Sequence, residues 1–245
     1  MSMDIGTNKP TARLAGALYL AVAIGSGFAF VALGQLVVTG DAAATLKNIT
    51  GNETFFRFAM LGDVLGQLAF ALLAPVLYAL FSRVDRVHAA LLAILVLVPV
   101  PIALASVSQL YALLPLAHVA GTLTTATQAA MLLETRAGGI LMAQVFWGLW
   151  LIPFGLLTWK SGFLPKILGL FLMLGSVGYL LDSFGRLLVT GGGAVAAIVP
   201  ACMVVSTVAE LAMVGWLLVF GIKAGAAKGA SSVAGTKREC EMSAT

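Results

Sequence analysis

Charged side chains are scarce in this sequence: 14 Lys and Arg and 10 Asp and Glu amount to 10% of its 245 residues. A soluble domain carries roughly 25%. So little charge cannot cover a water-facing surface, which excludes an ordinary soluble fold. Cysteine and histidine are as sparse, with two of each. Cys202 stands in an apolar run and Cys240 in a polar tail, so no disulfide framework is implied. His88 and His118 lie on separate segments, and no H-E-x-x-H, C-x-x-C or P-loop pattern occurs. A metal site, a nucleotide site and any other cofactor therefore lack support. The pI of 9.3 comes from bases at helix ends and in the C-terminal tail. With no basic stripe interleaved with stacking aromatics, nucleic acid is not an expected partner.

What is abundant is apolar: 60% of the residues are hydrophobic. Six stretches reach the ~20 apolar residues that cross a bilayer. They run Ala12–Val38, Thr54–Phe81, Ala89–Leu114, Gly138–Trp159, Leu164–Val189 and Ala194–Ile222. The first is too long for the apolar core of a signal peptide. The expected fold is an all-α, polytopic membrane helical bundle of six transmembrane helices over residues 12–222, with the lipid bilayer as its surroundings. A short tail, 1–11, precedes it. The Ala/Gly/Ser-rich tail 223–245 is expected to be disordered. Oligomeric state leaves no mark on the pattern.

Two outer interfacial segments complete this scheme. GDAAATLKNITGNET reads as a short helix N-capped by Asp41. Pro115–Ala137, rich in Thr and Gln and carrying Glu134 and Arg136, reads as a second helix lying on the membrane surface. A crossing there would move Lys160 and Lys166 to the outside. Without it, ten of the 14 bases fall on one side. By the positive-inside rule, the protein is expected in the cell membrane with both termini cytoplasmic. Prolines inside four spans (Pro75, Pro99 with Pro101, Pro153 and Pro200) can kink their helices. Trp159 beside Lys160 reads as an interfacial anchor.

Ionisable groups within the spans are the candidate site residues, because charge at membrane depth is costly and marks either pairing or function. Asp182 and Arg186, at i and i+4, can neutralise each other within one helix. Arg57 lies near an outer helix end. Asp63 and Glu210 have no base at i±3 or i±4, so both are expected to face the bundle interior, where Gln67 and Gln144 can join them. Asp63 sits in Gly62-Asp63-Val64-Leu65-Gly66, a spacing that lets a neighbouring backbone approach closely.

Ser161-Gly162-Phe163-Leu164-Pro165-Lys166-Ile167-Leu168-Gly169 is followed by Gly178-Tyr179-Leu180-Leu181-Asp182-Ser183. With the opening Ala12-Arg13-Leu14-Ala15-Gly16-Ala17-Leu18-Tyr19-Leu20 and the stretch from Phe56-Arg57 to Asp63, this resembles a bacterial membrane family catalogued as domain of unknown function 4386. The resemblance runs from about Thr11 to Lys223 and implies a polytopic membrane protein, with no activity attached. From the residues, the leading expectation is a non-enzymatic protein that binds or moves a small amphiphile, lipid or solute through an outward-facing polar pocket. The candidate pocket residues are Asp63, Glu210, Asp182, Arg186, Arg57, Gln67 and Gln144. Two alternatives stand beside it: an intramembrane enzyme acting on a lipid or isoprenoid with a carboxylic acid as general acid, and a structural or assembly protein.

Overall fold

A computed structural model describes residues 9–119, 121–188 and 194–222, with side chains of the last helix from Ile198 onward. The helices are α1 (Lys9–Leu36), α2 (Ala42–Gly51), α3 (Glu53–Phe81), α4 (Arg86–Leu97), α5 (Pro99–His118), α6 (Leu123–Leu149), α7 (Leu151–Ser161), α8 (Lys166–Leu188) and α9 (Ala194–Val219). Among the described residues there is no strand. Six stretches are long and apolar enough to cross a membrane: Lys9–Leu36, Glu53–Phe81, Arg86–His118, Leu123–Ser161, Lys166–Leu188 and Ile198–Val219. Large apolar side chains also cover outer faces, with Phe30 81% and Val208 61% exposed. Such faces suit lipid as solvent and no other. The chain is an all-α bundle of the multi-pass membrane class. The disordered tail expected at 223–245 lies outside the described residues, as do residues 1–8 and Val189.

Two spans are each made of two helices, and a proline accompanies both breaks. Val98 precedes Pro99 and Trp150 precedes Pro153, and both residues keep right-handed helical dihedrals. A proline lacks the N–H that would bond four residues back, which leaves a gap in the hydrogen-bond ladder. Pro75 and Pro200 lie inside helices that the structure carries through without interruption.

The two segments expected on the outer surface differ in detail from expectation. Asp41 caps α2, its Oδ1 accepting from the Ala44 N–H at 2.8 Å. Helix α2 packs on α5, burying Leu46 and Ile49 against Leu110, Leu113 and Phe56. The expected independent surface helix over Pro115–Ala137 is instead shared between its neighbours. Helix α5 runs through Pro115 to His118, and residues from Leu123 onward begin α6 and continue unbroken past Ala137. Thr and Gln are tolerated in a helix, so polarity there does not end it. Helix α6 alone, 27 residues, is roughly 40 Å long at 1.5 Å per residue, more than the ~30 Å hydrocarbon layer.

The chain forms two compact units. One draws on Met1–Ala17, Leu73–Leu95 and Gly148–Thr245 over their described residues; the other comprises Leu18–Leu72 and Val96–Trp147. In the first unit, α8 packs against both α7 and α9. Glycine makes this closeness possible: a Cβ on Gly155 would stand 2.5 Å from the Gly169 carbonyl oxygen, and one on Gly169 2.5 Å from that of Gly155. Gly175 and Gly178 face Ser206 and Cys202 of α9, and the Ser206 hydroxyl donates to the Gly175 carbonyl at 2.6 Å. Phe81 stacks on Phe163 and meets Phe154 edge-on, while Trp150 stacks on Phe154. In the second unit, α1 crosses α3 backbone to backbone: a Cβ on Gly25 would lie 2.6 Å from the Gly62 oxygen and 3.0 Å from the Gly66 nitrogen.

Between α3 and α4, outside the spans, Asp85 ties the first unit together at one end. Its Oδ1 accepts the His88 N–H at 3.2 Å, and its Oδ2 meets His88 Nδ1 at 2.7 Å and Lys160 Nζ at 3.1 Å. The His88 backbone bond, then the Lys160 ammonium, hold this carboxyl down from 3.8 to about 2. A carboxylate favoured in the folded state contributes stability above its ordinary titration range and loses it as pH falls through the depressed value. Melting curves of wild type and Asp85→Asn should therefore differ at pH 5, with the variant less stable, and converge toward pH about 2.

Candidate functional site

Two buried polar residues of α3 stand next to Gly62 and Gly66, the glycines on which α1 crosses. Asp63 is 7% and Gln67 3% exposed, one helical turn apart. The Gln67 Nε2 amide donates to Asp63 Oδ1 over a long 3.4 Å. From α6, Arg136 brings Nη2 to 4.0 Å from Asp63 Oδ2, with its side chain 22% exposed. This ion pair is neither short nor bidentate, so it satisfies neither partner fully. Gln67 Oε1 and Arg136 Nε are buried with no hydrogen-bond partner, as is the hydroxyl of Ser26, which packs over Gly66. A buried polar atom left unmade costs ~1–3 kcal/mol. Unpartnered acceptors and donors therefore stand beside one carboxylate–guanidinium pair.

Arg136 corrects the sequence reading, which placed it on the outer surface beside Glu134. Residues i and i+2 do not face each other on a helix. Glu134 is exposed while Arg136 is half-buried, its guanidinium turned to Asp63. That spacing was the available signal: with no acid three or four residues away, Arg136 is left to pair with another helix.

The other candidates fall into separate groups. In the same unit, Arg57 binds Glu53 at 2.7 Å, and His118 Nε2 at the end of α5 lies 3.2 Å from the second Glu53 oxygen; exposed Arg57 and His118 thus flank a half-buried Glu53 at the start of α3. Asp63 lies six residues further along, about 9 Å down the axis. Gln144 is half-buried on α6, eight residues beyond Arg136 and about 12 Å along that axis. Asp182, Arg186 and Glu210 belong to the other unit. Arg186 Nε donates to Asp182 Oδ1 at 2.9 Å, with the arginine 68% and the aspartate 11% exposed by side chain. Glu210 of α9 accepts at Oε1 from the Tyr179 hydroxyl of α8 at 3.0 Å. Sequence reasoning overlooked Tyr179, although it stands inside the GYLLDS run. Among the described residues, no group of three His, Cys, Asp or Glu side chains is placed to hold a metal ion.

A family model, domain of unknown function DUF4386, matches residues 14–221. The chain belongs to this family. The match takes in every residue of the Asp63–Gln67–Arg136 cluster and of the Tyr179–Glu210 pair. Membership of DUF4386 carries no reaction, ligand or partner with it. No curated protein and no solved structure matches the chain.

Proposed function

We propose that this DUF4386 protein binds or moves a small amphiphile or solute, and that Asp63, Gln67 and Arg136 form the polar floor of its site. One observation carries the reading. A buried carboxylate and a half-buried guanidinium stand 4.0 Å apart, with Gln67 Oε1 and Arg136 Nε unpartnered. A pair serving only to fix helix register would gain most by closing to direct contact. A pair held apart, with spare donors and acceptors, suits a guest that carries both. The distribution of Lys and Arg favours cytoplasmic termini in a cell membrane. Glu53 then marks the outer end of α3, and Asp63 lies about 15 Å inward from it.

The test is thermal stabilisation of the purified protein in nanodiscs by decanoate, decylammonium or dodecylphosphocholine. At least one probe should raise the melting temperature of wild type. Gln67→Leu, which keeps the volume and removes the amide, should weaken that probe's apparent affinity about five- to tenfold, the value of one hydrogen bond. No shift from any probe, or an unchanged affinity in Gln67→Leu, would refute the assignment.

A further inference from the structure

We propose that the end of the first unit where α3 passes to α4 and α7 passes to α8 binds the head group of an anionic phospholipid. This surface is independent of the Asp63 cluster. The two turns are short and basic: Arg83 and Arg86 on one, Lys160 and Lys166 on the other, all four exposed. Asp85 is the one acid on either turn. Its carboxylate, between His88 Nδ1 at 2.7 Å and Lys160 Nζ at 3.1 Å, joins the two turns. Four bases against one acid leave a concentrated positive field that the protein does not neutralise here.

The surroundings distinguish a lipid from a free anion. Each turn lies at the boundary of spanning stretches, Glu53–Phe81 with Arg86–His118 and Leu123–Ser161 with Lys166–Leu188. Beyond the bases, Val87 and Leu91 on α4 and Ile167 and Leu170 on α8 are exposed apolar side chains, a surface for acyl chains. Trp159 is 43% exposed, and Lys166 Nζ lies 5.7 Å from its ring centroid. An amphipathic ring at a helix end is the ordinary anchor at head-group level. Gly162, at φ +68, turns the chain tightly enough to bring Lys160 and Lys166 to one end. Bases clustered just outside spans attract anionic lipid.

The experiment is native mass spectrometry of the protein released from nanodiscs of phosphatidylglycerol mixed with phosphatidylcholine. Wild type should retain phosphatidylglycerol in preference, and excess inorganic phosphate should not displace it. The preference should fall about fivefold for each base removed. Arg83→Gln/Arg86→Gln leaves the Asp85 contacts intact, and Lys160→Gln/Lys166→Gln removes one of them. If the second variant fails to fold, the first decides. Lys47→Gln on α2, in the other unit, should retain the wild-type preference. Equal retention of the two lipids overturns the proposal, as does a preference unchanged in Arg83→Gln/Arg86→Gln. Displacement by inorganic phosphate overturns it too, because the site would then be one for a free anion.

Discussion

Arg136→Leu should lower the stability of the folded protein by about 3 kcal/mol, with Asp63 left in place. Breaking a buried ion pair by removing one partner typically costs 3–5 kcal/mol, because the other charge stays desolvated. The 4.0 Å separation and the 22% exposure of the Arg136 side chain set the value at the lower end. Asp63→Leu should act similarly, by stranding the guanidinium. The informative variant is the double one. Asp63→Leu/Arg136→Leu removes both charges and most of the buried polar demand, so it should be more stable than Arg136→Leu alone. Melting of all four proteins in nanodiscs gives the coupling between the two residues. Additive losses would mean that the two side chains do not act on each other. The double variant should also fail to respond to the probe that stabilises wild type.

Gly155→Ala and Gly169→Ala should each cost about 1–3 kcal/mol, the usual penalty of overpacking, although each adds a single methyl group. The two glycines face each other across α7 and α8, and either added Cβ would stand 2.5 Å from the opposite carbonyl oxygen. Ordinary contact begins near 3.4 Å, so the backbones themselves must separate. A backbone carbonyl cannot rotate away as a long side chain can. The strain should spread through α8 to α9, because Gly175 and Gly178 hold that second contact by the same device. Gly27→Ala is the control: nothing lies within 4 Å of its added carbon. Alanine there should be neutral or stabilising by about 0.5–1 kcal/mol through helix propensity. Thermal melts of the three variants read the difference, and equal effects would show that the α7–α8 contact is looser than described.

Composition alone carries the membrane bundle, since apolar length and scarce charge leave no other solvent than lipid. Local pairings were legible for the same reason that they are local. Asp182 and Arg186 are four residues apart on one helix, and Asp41 lies three residues from the N–H it caps. What escaped were contacts set by the register of one helix against another. Asp63 has no base within a turn, and its partner comes 73 residues later on α6; Glu210 finds Tyr179 on α8. Hydrophobic periodicity tells which face of a helix is buried, but not which residue of a neighbour stands opposite. The prolines show a related limit. Pro99 and Pro153 accompany breaks, whereas Pro75 and Pro200 lie within continuous helices. The missing N–H is identical in each case, so a proline alone does not decide where the ladder opens. The seven candidate residues thus separate into Arg57 paired with Glu53, a local pair at Asp182 and Arg186, a tyrosine-bound Glu210, Gln144 further along α6, and the cluster of Asp63 and Gln67 with Arg136.

The most direct test of that cluster is an experimental density map of the protein in nanodiscs, at a resolution that shows ordered water. A non-protein molecule, water or ligand, is expected within hydrogen-bonding distance of both Gln67 Oε1 and Arg136 Nε. The contradicting result would be a dry cluster in which Arg136 closes onto Asp63 with two short parallel bonds and Gln67 is fully paired with protein atoms.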